Sequence, residues 1–381
     1  MISRGFCDAF LDDSHRSFRE ACERFAREEI FPHAQAWEEA GSFDRALYRK
    51  AAAAGLLGAS YPEDYGGGGG DLFHEVVQTE ALLRGGSTGV LVGLGSLGIA
   101  LPPILALGDE EQKRRLIPPV LRGERVAALA VTEPGAGSDV AALTTRARRD
   151  GEAYVLEGTK LYVTSGVRAD QLTVLARTGA DPHGGLTFFV VEREHGYVVS
   201  RALKKTGWWA SDTAEISFPE VRVPVRNRLG EEGSGFRCLM RTFVHERVFL
   251  AAIGVATAEL ALEESVAHAR RRRAFGRPLA EHQALRHKLA AMSTQVLAAK
   301  AFAYHTTARV VRGEATPAEV AALKNFTAEA ARAVCHEAVQ LHGGMGYMRE
   351  SLVERLSRDA RLLSIGGGTT EIMNEIIAKA L

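Results

Sequence analysis

The chain has 381 residues, 46% of them hydrophobic and 25% charged, the composition of a folded globular protein with room for two or three domains and a substantial core. Lys+Arg and Asp+Glu both number 47, so the formal net charge is zero and nothing global draws the chain to nucleic acid or to an anionic membrane surface. The 4 cysteines (Cys7, Cys22, Cys238, Cys335) contain no Cys-x-x-Cys pair, which speaks against a disulfide framework or a structural zinc and for reduced thiols in the cytoplasm; no apolar stretch reaches the roughly 20 residues of a membrane span, and the segment around Asp8, Asp12 and Asp13 does not read as a signal peptide.

Three textures follow one another along the chain. Residues 1–120 read as a helical domain: Phe18, Cys22, Phe25 and Ala26 recur at helical spacing, as do Leu47, Ala51, Ala54 and Leu57. The glycines at 66–70 read as a flexible loop between helices. Asp109-Glu110-Glu111-Gln112 has the form of a capping box, with Asp109 accepting from the first turn and Gln112 reaching back. Gly93-Leu94-Gly95-Ser96-Leu97-Gly98 matches the dinucleotide-binding fingerprint, but Pro102-Pro103 breaks the helix that should follow, and Asp109 lies too close to be the acidic ribose ligand expected about 20 residues on. Small residues packing between helices account better for these glycines.

From 121 to 231 the hydrophobic period shortens. Ala153-Tyr-Val-Leu, Leu172-Thr-Val-Leu, Leu186-Thr-Phe-Phe-Val-Val, Tyr197-Val-Val and Ile216-Ser-Phe are separated by Gly and Pro clusters, which predicts a middle β domain, a small barrel or sandwich. From 232 to 381 long helices return over 249–269, 281–311 and 316–342; Thr316-Pro317-Ala318-Glu319 supplies a cap, a proline at the first helical position and a completed box. Together these predict a mainly α chain with a central β domain: an N-terminal helical domain, a small β-barrel and a C-terminal four-helix bundle.

Several segments carry chemistry. Residues 131–139, Val-Thr-Glu-Pro-Gly-Ala-Gly-Ser-Asp, directly follow an apolar run and cannot continue as a helix, because Pro134 lacks a donor and Gly135 and Gly137 favour turns. Such a loop offers free N–H groups and small hydroxyls to a polar ligand, although ordinary turn chemistry accounts for an isolated Gly-Ala-Gly-Ser equally well. Arg270-Arg271-Arg272-Arg273 suits an anionic target, since guanidinium binds phosphate through paired donors, and equally suits a helix C-terminus. His245-Glu246-Arg247, by itself, reads as a solvated helix face.

The strings nevertheless fall in one order. Residues 131–139, then Gly158-Thr-Lys-Leu-Tyr-Val-Thr-Ser-Gly166, Gly207-Trp-Trp-Ala-Ser-Asp-Thr-Ala-Glu215, Arg270 to Gly276 followed by Glu281-His-Gln283, Gln340-Leu-His-Gly-Gly-Met-Gly-Tyr347 and Ile365-Gly-Gly-Gly-Thr-Thr-Glu371 resemble the successive signatures of the acyl-CoA dehydrogenases, over nearly the whole chain. The resemblance implies an FAD cofactor lying between the β domain and the bundle. It implies ring contacts for Leu129, Val131, Thr132, Gly137 and Ser138, with Ser138 also near the substrate, and for Tyr162, Val163 and Thr164. It further implies diphosphate and adenine contacts for Arg272, Phe275 and Gln283, and the same for Gln340, Gly343 and Gly344 toward FAD bound mainly to a neighbouring subunit, hence an oligomer, a tetramer as in relatives. Thr369 and Glu371 join the cofactor set and Arg247 the substrate set.

Three departures matter. Tyr162 stands where tryptophan or phenylalanine is commoner, and Trp209 where many relatives have arginine. The third difference concerns the base. Many relatives abstract the α-proton with a glutamate in the C-terminal Glu-Gly-Thr string; here Gly367 holds that place. In the branch resembling isovaleryl-CoA and long-chain acyl-CoA dehydrogenases the base instead precedes an arginine on a bundle helix, which selects Glu246, with the Gly367 amide left as an oxyanion donor. The implied activity is α,β-dehydrogenation of an acyl-CoA, medium, long or branched, to the trans-2-enoyl-CoA, with an electron-transfer flavoprotein as acceptor and no metal. An oxidase or monooxygenase on the same fold, and a non-catalytic flavin-binding scaffold, are the competing readings.

Overall fold

The structure, a computed structural model, describes residues 5–381. The first region is helical: α1 (Asp13–Phe25), α2 (Ala34–Ala40), α3 (Ala46–Ala53), α4 (Leu72–Leu83), α5 (Thr88–Leu94), α6 (Leu97–Ala100), α7 (Pro102–Leu107), α8 (Glu110–Leu116) and α9 (Pro118–Leu121). α8 starts on the expected capping box: Asp109 accepts from the Gln112 amide and Gln112 reaches back to the Asp109 amide. The glycine-rich fingerprint at 93–98 spans the end of α5 and the start of α6 and follows no strand. A Cβ on Gly93 would sit 2.4 Å from Phe43 and one on Gly95 3.3 Å from Phe249, so both glycines permit close helix packing.

The glycines at 66–70 are not a flexible loop. Their amides bond to the carbonyls of Pro62, Gly58, Tyr61 and Ala59, and a Cβ on Gly67 would sit 2.2 Å from the Tyr61 carbonyl oxygen. Gly67, Gly68 and Gly70 are there because the backbone folds flat against Ala59 and Tyr61, which leaves no room for side chains, while Gly66 and Gly69 take left-handed φ values of 86° and 64°.

The middle region forms one eight-stranded sheet: β1 (Ala127–Ala130), β2 (Arg146–Asp150), β3 (Ala153–Thr164), β4 (Gln171–Arg177), β5 (Leu186–Glu192), β6 (Val198–Ala202), β7 (Thr213–Pro224) and β8 (Arg228–Leu229). The order is β6–β7–β3–β2–β4–β5–β8, with β1 running parallel to β4. One face of β3, β4, β5 and β7 closes over a core containing Tyr154, Leu156, Leu172, Val174, Phe189 and Ile216. The opposite face of β4 and β5 (Leu175, Leu186, Phe188, Val190) joins the core shared with the helices. Both faces being covered explains why these two strands read as unbroken apolar runs rather than alternating ones.

The last region holds α10 (Gly235–Arg271), a short hairpin of β9 (Arg273–Ala274) and β10 (Arg277–Pro278), α11 (Gln283–Val311), α12 (Pro317–His342), α13 (Leu352–Ala360) and α14 (Thr370–Ala378). α10, α11 and α12 pack on one another, and α14 lies along α12. α12 opens on the Thr316–Glu319 box. α10 begins 14 residues before the expected 249 because Gly235 to Val248 continue the helix although their apolar face is sparser. Glu246 therefore stands inside a long helix, not at its end. Among the described residues no single helix is long and apolar enough to cross a membrane.

Candidate active site

Consecutive residues on a helix point about 100° apart, and this separates Glu246 from Arg247. The Arg247 guanidinium is buried, donates from Nε to the Gly367 carbonyl at 3.3 Å and lies 5.6 Å from the Phe243 ring. The Glu246 carboxylate instead faces the turn at 366–368: a Cβ on Gly367 would sit 3.6 Å from its Oε1 and 2.4 Å from Leu250 Cδ1. Gly367 and Gly368 have φ of 64° and 99°, left-handed values that a side chain would strain. Among the described residues no carbonyl accepts from the Gly367 amide. Lys324, buried on α12, donates to the Gly368 carbonyl at 2.5 Å. Thr369 caps α14 through the Ile372 amide, and Glu371 is exposed in the first turn, its carboxyl held below the usual range chiefly by hydrogen bonds to its own amide and to Thr369.

Burial raises the Glu246 pKa from 4.5 to about 7, against the opposing pull of Arg247 and Lys324. The same desolvation, helped by Arg247 and opposed by Glu246, brings Lys324 down to about 8. Glu246 lines a cavity of about 410 Å³ whose walls include Leu82, Leu91, Leu94, Leu97 and Phe249. A carboxyl that is half-ionised near neutrality, in a largely apolar cavity, is chemically suited to act as a general base.

The loop 131–138 forms a second component. A tight turn is closed by paired hydrogen bonds between Glu133 and Ala136, and the Leu161 amide donates to the Thr132 carbonyl at 2.8 Å. Beneath it, fully buried Lys160 donates to the Val131 carbonyl and to Glu133, both at 2.8 Å, while Glu133 also accepts from the amides of Thr144 and Thr145 and the Thr144 hydroxyl. Burial opposes ionisation of Glu133, but the charge and hydrogen bond of Lys160, with those from Thr145 and Thr144, outweigh it and hold the pKa at about 2. The register of β3 against β7 shifts between Lys160 and Val163, and at this bulge Tyr162 adopts φ 60° and projects 65% exposed. The hydroxyls of Thr132, Ser138 and Thr164 make no hydrogen bond to other described residues and are not buried. Leu129 and Val131 are half-buried at the edge of the core and Gly137 is exposed; Val163 directs its side chain into the sheet core, leaving only its backbone for a ligand.

The third component lies at the far end of α10. The helix stops at Arg271, and the β9–β10 hairpin carries Phe275 at φ 50°, almost wholly exposed. Arg270, Arg271 and Arg272 are exposed and form no ion pair among the described residues, and Gln283 is exposed at the start of α11. The His268 and His342 rings stack at 4.2 Å, which brings the loop Gln340–Tyr347 beside this end. Gln340 is exposed, and Gly343 and Gly344 face open space where a side chain would sit. Free guanidinium groups, an exposed aromatic and an unobstructed glycine turn fit the anionic and adenine parts of a dinucleotide; the unpartnered hydroxyls and Tyr162 fit a polar heterocyclic ring. From Glu246 to Arg272 the helix rises about 39 Å.

Sequence reasoning missed Lys160, Glu133, Leu250 and Lys324 as parts of the site. Each lysine reads in the sequence as a solvated residue, and only the fold buries it. Trp209 packs against cations: its ring lies 3.5 Å from the Arg358 guanidinium and 4.7 Å from that of Arg349, and Nε1 donates to the carbonyls of Lys205 and Thr206. The described residues hold one histidine–carboxylate group of metal-ligand type, His15, Asp71 and His74. Each imidazole Nδ1 accepts from an N-cap amide, of Asp12 and of Asp71, so the group is two helix caps joined by the His15–Asp71 contact of 2.9 Å.

A carboxyl of raised pKa in a largely apolar cavity, with a rim of unpartnered hydroxyls and an exposed tyrosine on the β sheet and free guanidinium groups at the end of α10, is an arrangement suited to an enzyme that takes a proton and holds a dinucleotide. The family models for the acyl-CoA dehydrogenase N-terminal, middle and C-terminal domains match residues 12–124, 128–221 and 233–381, and the chain belongs to the acyl-CoA dehydrogenase family. It is 39% identical over 380 residues to the mitochondrial long-chain specific acyl-CoA dehydrogenase of Sus scrofa, covering 97% of this chain and 87% of that one. A probable acyl-CoA dehydrogenase from Mycobacterium abscessus superposes with a TM-score of 0.96 at 47% identity, covering 97% of this chain and 99% of the other. A chain in the structure of the electron transferring flavoprotein of Acidaminococcus fermentans does so with a TM-score of 0.93 at 32% identity, covering 97% and 98%. The family is one of flavoprotein oxidoreductases, and this chain is an enzyme of that class.

Proposed function

We propose that the chain catalyses FAD-dependent α,β-dehydrogenation of acyl-CoA thioesters to trans-2-enoyl-CoA with Glu246 as the base. The observation that carries the assignment is the Glu246 carboxyl beside Gly367, pushed up to about 7 by burial. The position that holds the base in many relatives is thus faced by the carboxylate that replaces it. Glu246 takes the α-proton; the unengaged Gly367 amide hydrogen-bonds the thioester oxygen as negative charge develops there, a contact of a kind worth roughly 10²–10³ in rate. The buried Arg247 and Lys324 hold the carbonyls of Gly367 and Gly368 and so restrain the turn that presents that amide. The leucine-rich part of the cavity lining keeps the carboxyl poorly solvated and so sustains its raised pKa. The hydride acceptor for the β-carbon would be supplied by FAD when it is bound.

Thr132, Ser138, Tyr162 and Thr164 hold the ring side of FAD; Arg272, Phe275, Gln283, Gln340, Gly343 and Gly344 hold its diphosphate and adenine side. A span of about 39 Å along one helix separates Glu246 from Arg272, farther than one dinucleotide reaches, which supports these residues serving a neighbouring chain in a homotetramer. An electron-transfer flavoprotein as acceptor is supported by the likeness to the Acidaminococcus fermentans chain. Four buried free cysteines suit a reducing cytoplasm.

Glu246→Gln tests the assignment. The purified variant keeps its flavin, and anaerobic bleaching of the flavin by acyl-CoA slows by roughly 10²–10⁴. Near-normal bleaching removes Glu246 from the mechanism.

A further inference from the structure

The face of α4 that lines the acyl cavity carries Asp71, Glu75, Gln78, Thr79 and Leu82, a stripe at helical spacing. Two of its polar groups are occupied within the protein: Gln78 Nε2 donates to the Leu56 carbonyl at 2.6 Å, and the Thr79 hydroxyl bonds back to the Glu75 carbonyl at 2.7 Å. Glu75 differs. Ser60, also on the cavity wall, donates to its Oε1, but among the described residues nothing donates to Oε2, no lysine or arginine pairs with the carboxyl, and Oε2 is not sealed from the cavity. A carboxyl left with a free acceptor in a chain-binding cavity penalises a plain alkyl chain, because that chain strips water from the acceptor and returns nothing.

We propose that the cavity is built for an acyl chain bearing a hydrogen-bond-donating substituent, a hydroxyl, beyond the β-carbon, with Glu75 and its Ser60 partner as the residues that read it. The inference rests on the dehydrogenase reading above and names its substrate class. Burial raises the Glu75 pKa, opposed by Ser60 and His245 and reinforced by Asp71, so the site disfavours a fixed charge and suits a neutral hydroxyl better than an ammonium group. A pocket shaped to satisfy a polar group rejects the analogue that lacks it more strongly than an apolar pocket rejects an added methylene.

The experiment compares straight-chain acyl-CoAs with counterparts of equal length hydroxylated at successive positions beyond the β-carbon, reading anaerobic flavin reduction of the holoenzyme as rate over affinity. Wild type favours one hydroxylated position over the plain chain by about tenfold or more. Glu75→Leu inverts that ratio, and Glu75→Gln, which keeps an acceptor, retains part of it; flavin content and the unfolding transition are checked for each. If the leucine variant fails to fold, the wild-type panel and the glutamine variant decide. Reduction of wild type by plain chains in preference to every hydroxylated one overturns the inference alone. Failure of any acyl-CoA to reduce the flavin overturns the dehydrogenase reading and this inference with it.

Discussion

Burial lifts Glu246 to about 7, and the two cations close to it, which oppose that rise, donate their hydrogen bonds elsewhere: Arg247 to the Gly367 carbonyl and Lys324 to that of Gly368. Direct pairing would pull the carboxyl back down and remove its use as a base. Activity should therefore rise with pH, with kcat/KM showing an inflection near 7 for the ionisation of Glu246. The same shift has a stability cost of defined sign. Between 4.5 and about 7 the folded chain keeps a proton that the unfolded chain releases, so this group's contribution to stability falls as pH rises across that window. Glu246→Gln should thus melt higher than wild type above neutrality, by roughly 1–2 kcal/mol, less than the full linkage value because the carboxyl is only partly covered. Gly367 is constrained twice, by φ 64° and by Leu250 Cδ1 at 2.4 Å from a built Cβ. Gly367→Ala should lose most flavin reduction. Adding Leu250→Ala removes the clash but not the backbone strain, so it should restore part of the rate and leave about 1 kcal/mol of destabilisation. Glu246 was legible in the sequence only as a pair of changes, a carboxylate missing at 367 and one present before Arg247. Lys324 was not legible, since nothing local tells a buried lysine on a helix from a solvated one.

The elements that hold the ligand rim depend on one ion pair. Lys160 and Glu133, both buried, join β3 to the loop after β1, and Glu133 receives two amides and a hydroxyl besides. Lys160→Met leaves that carboxylate without its cation, a change of the class that costs about 3–5 kcal/mol. It should lower the melting temperature and release flavin, because loop 131–138 and Tyr162 on the bulge move together; a variant with wild-type melting and full flavin content contradicts this. The helices were readable where caps and stripes coincide, as at Asp109 and Thr316. Strands β4 and β5 were readable from unbroken apolar runs. β2 was not: its sequence Arg-Ala-Arg-Arg-Asp buries only Ala147, and its place between β3 and β4 comes from pairing rather than composition. The glycines at 66–70 misled because composition reports freedom of the chain, whereas Tyr61 and Ala59 impose close approach.

At the scale of the whole molecule, α10 carries the proposed base Glu246 within its first half and leads into the arginine hairpin at its C-terminal end, about 39 Å away. Phe275, at a strained φ of 50°, touches only the edge of the His282 ring and is otherwise bare, and Met345, Tyr347 and Met348 on the loop after α12 are exposed as well, an arrangement that costs solvation in a single chain. Both facts agree if each arginine end completes the cofactor site of another copy, and mixed oligomers test this. Arg272→Glu should bind FAD poorly and Glu246→Gln should bind it but not turn over. When the two variants are co-expressed and assembled at random, a site works wherever the chain with intact Glu246 meets a neighbour with intact Arg272. About a quarter of sites meet that condition in random pairing of a symmetric interface. Activity near a quarter of wild type, against near-zero parents, is the expected result, and flavin content should rise with it. Mixed oligomers that form, by mass, yet stay as inactive as their parents would mean that Arg272 serves the site of its own chain.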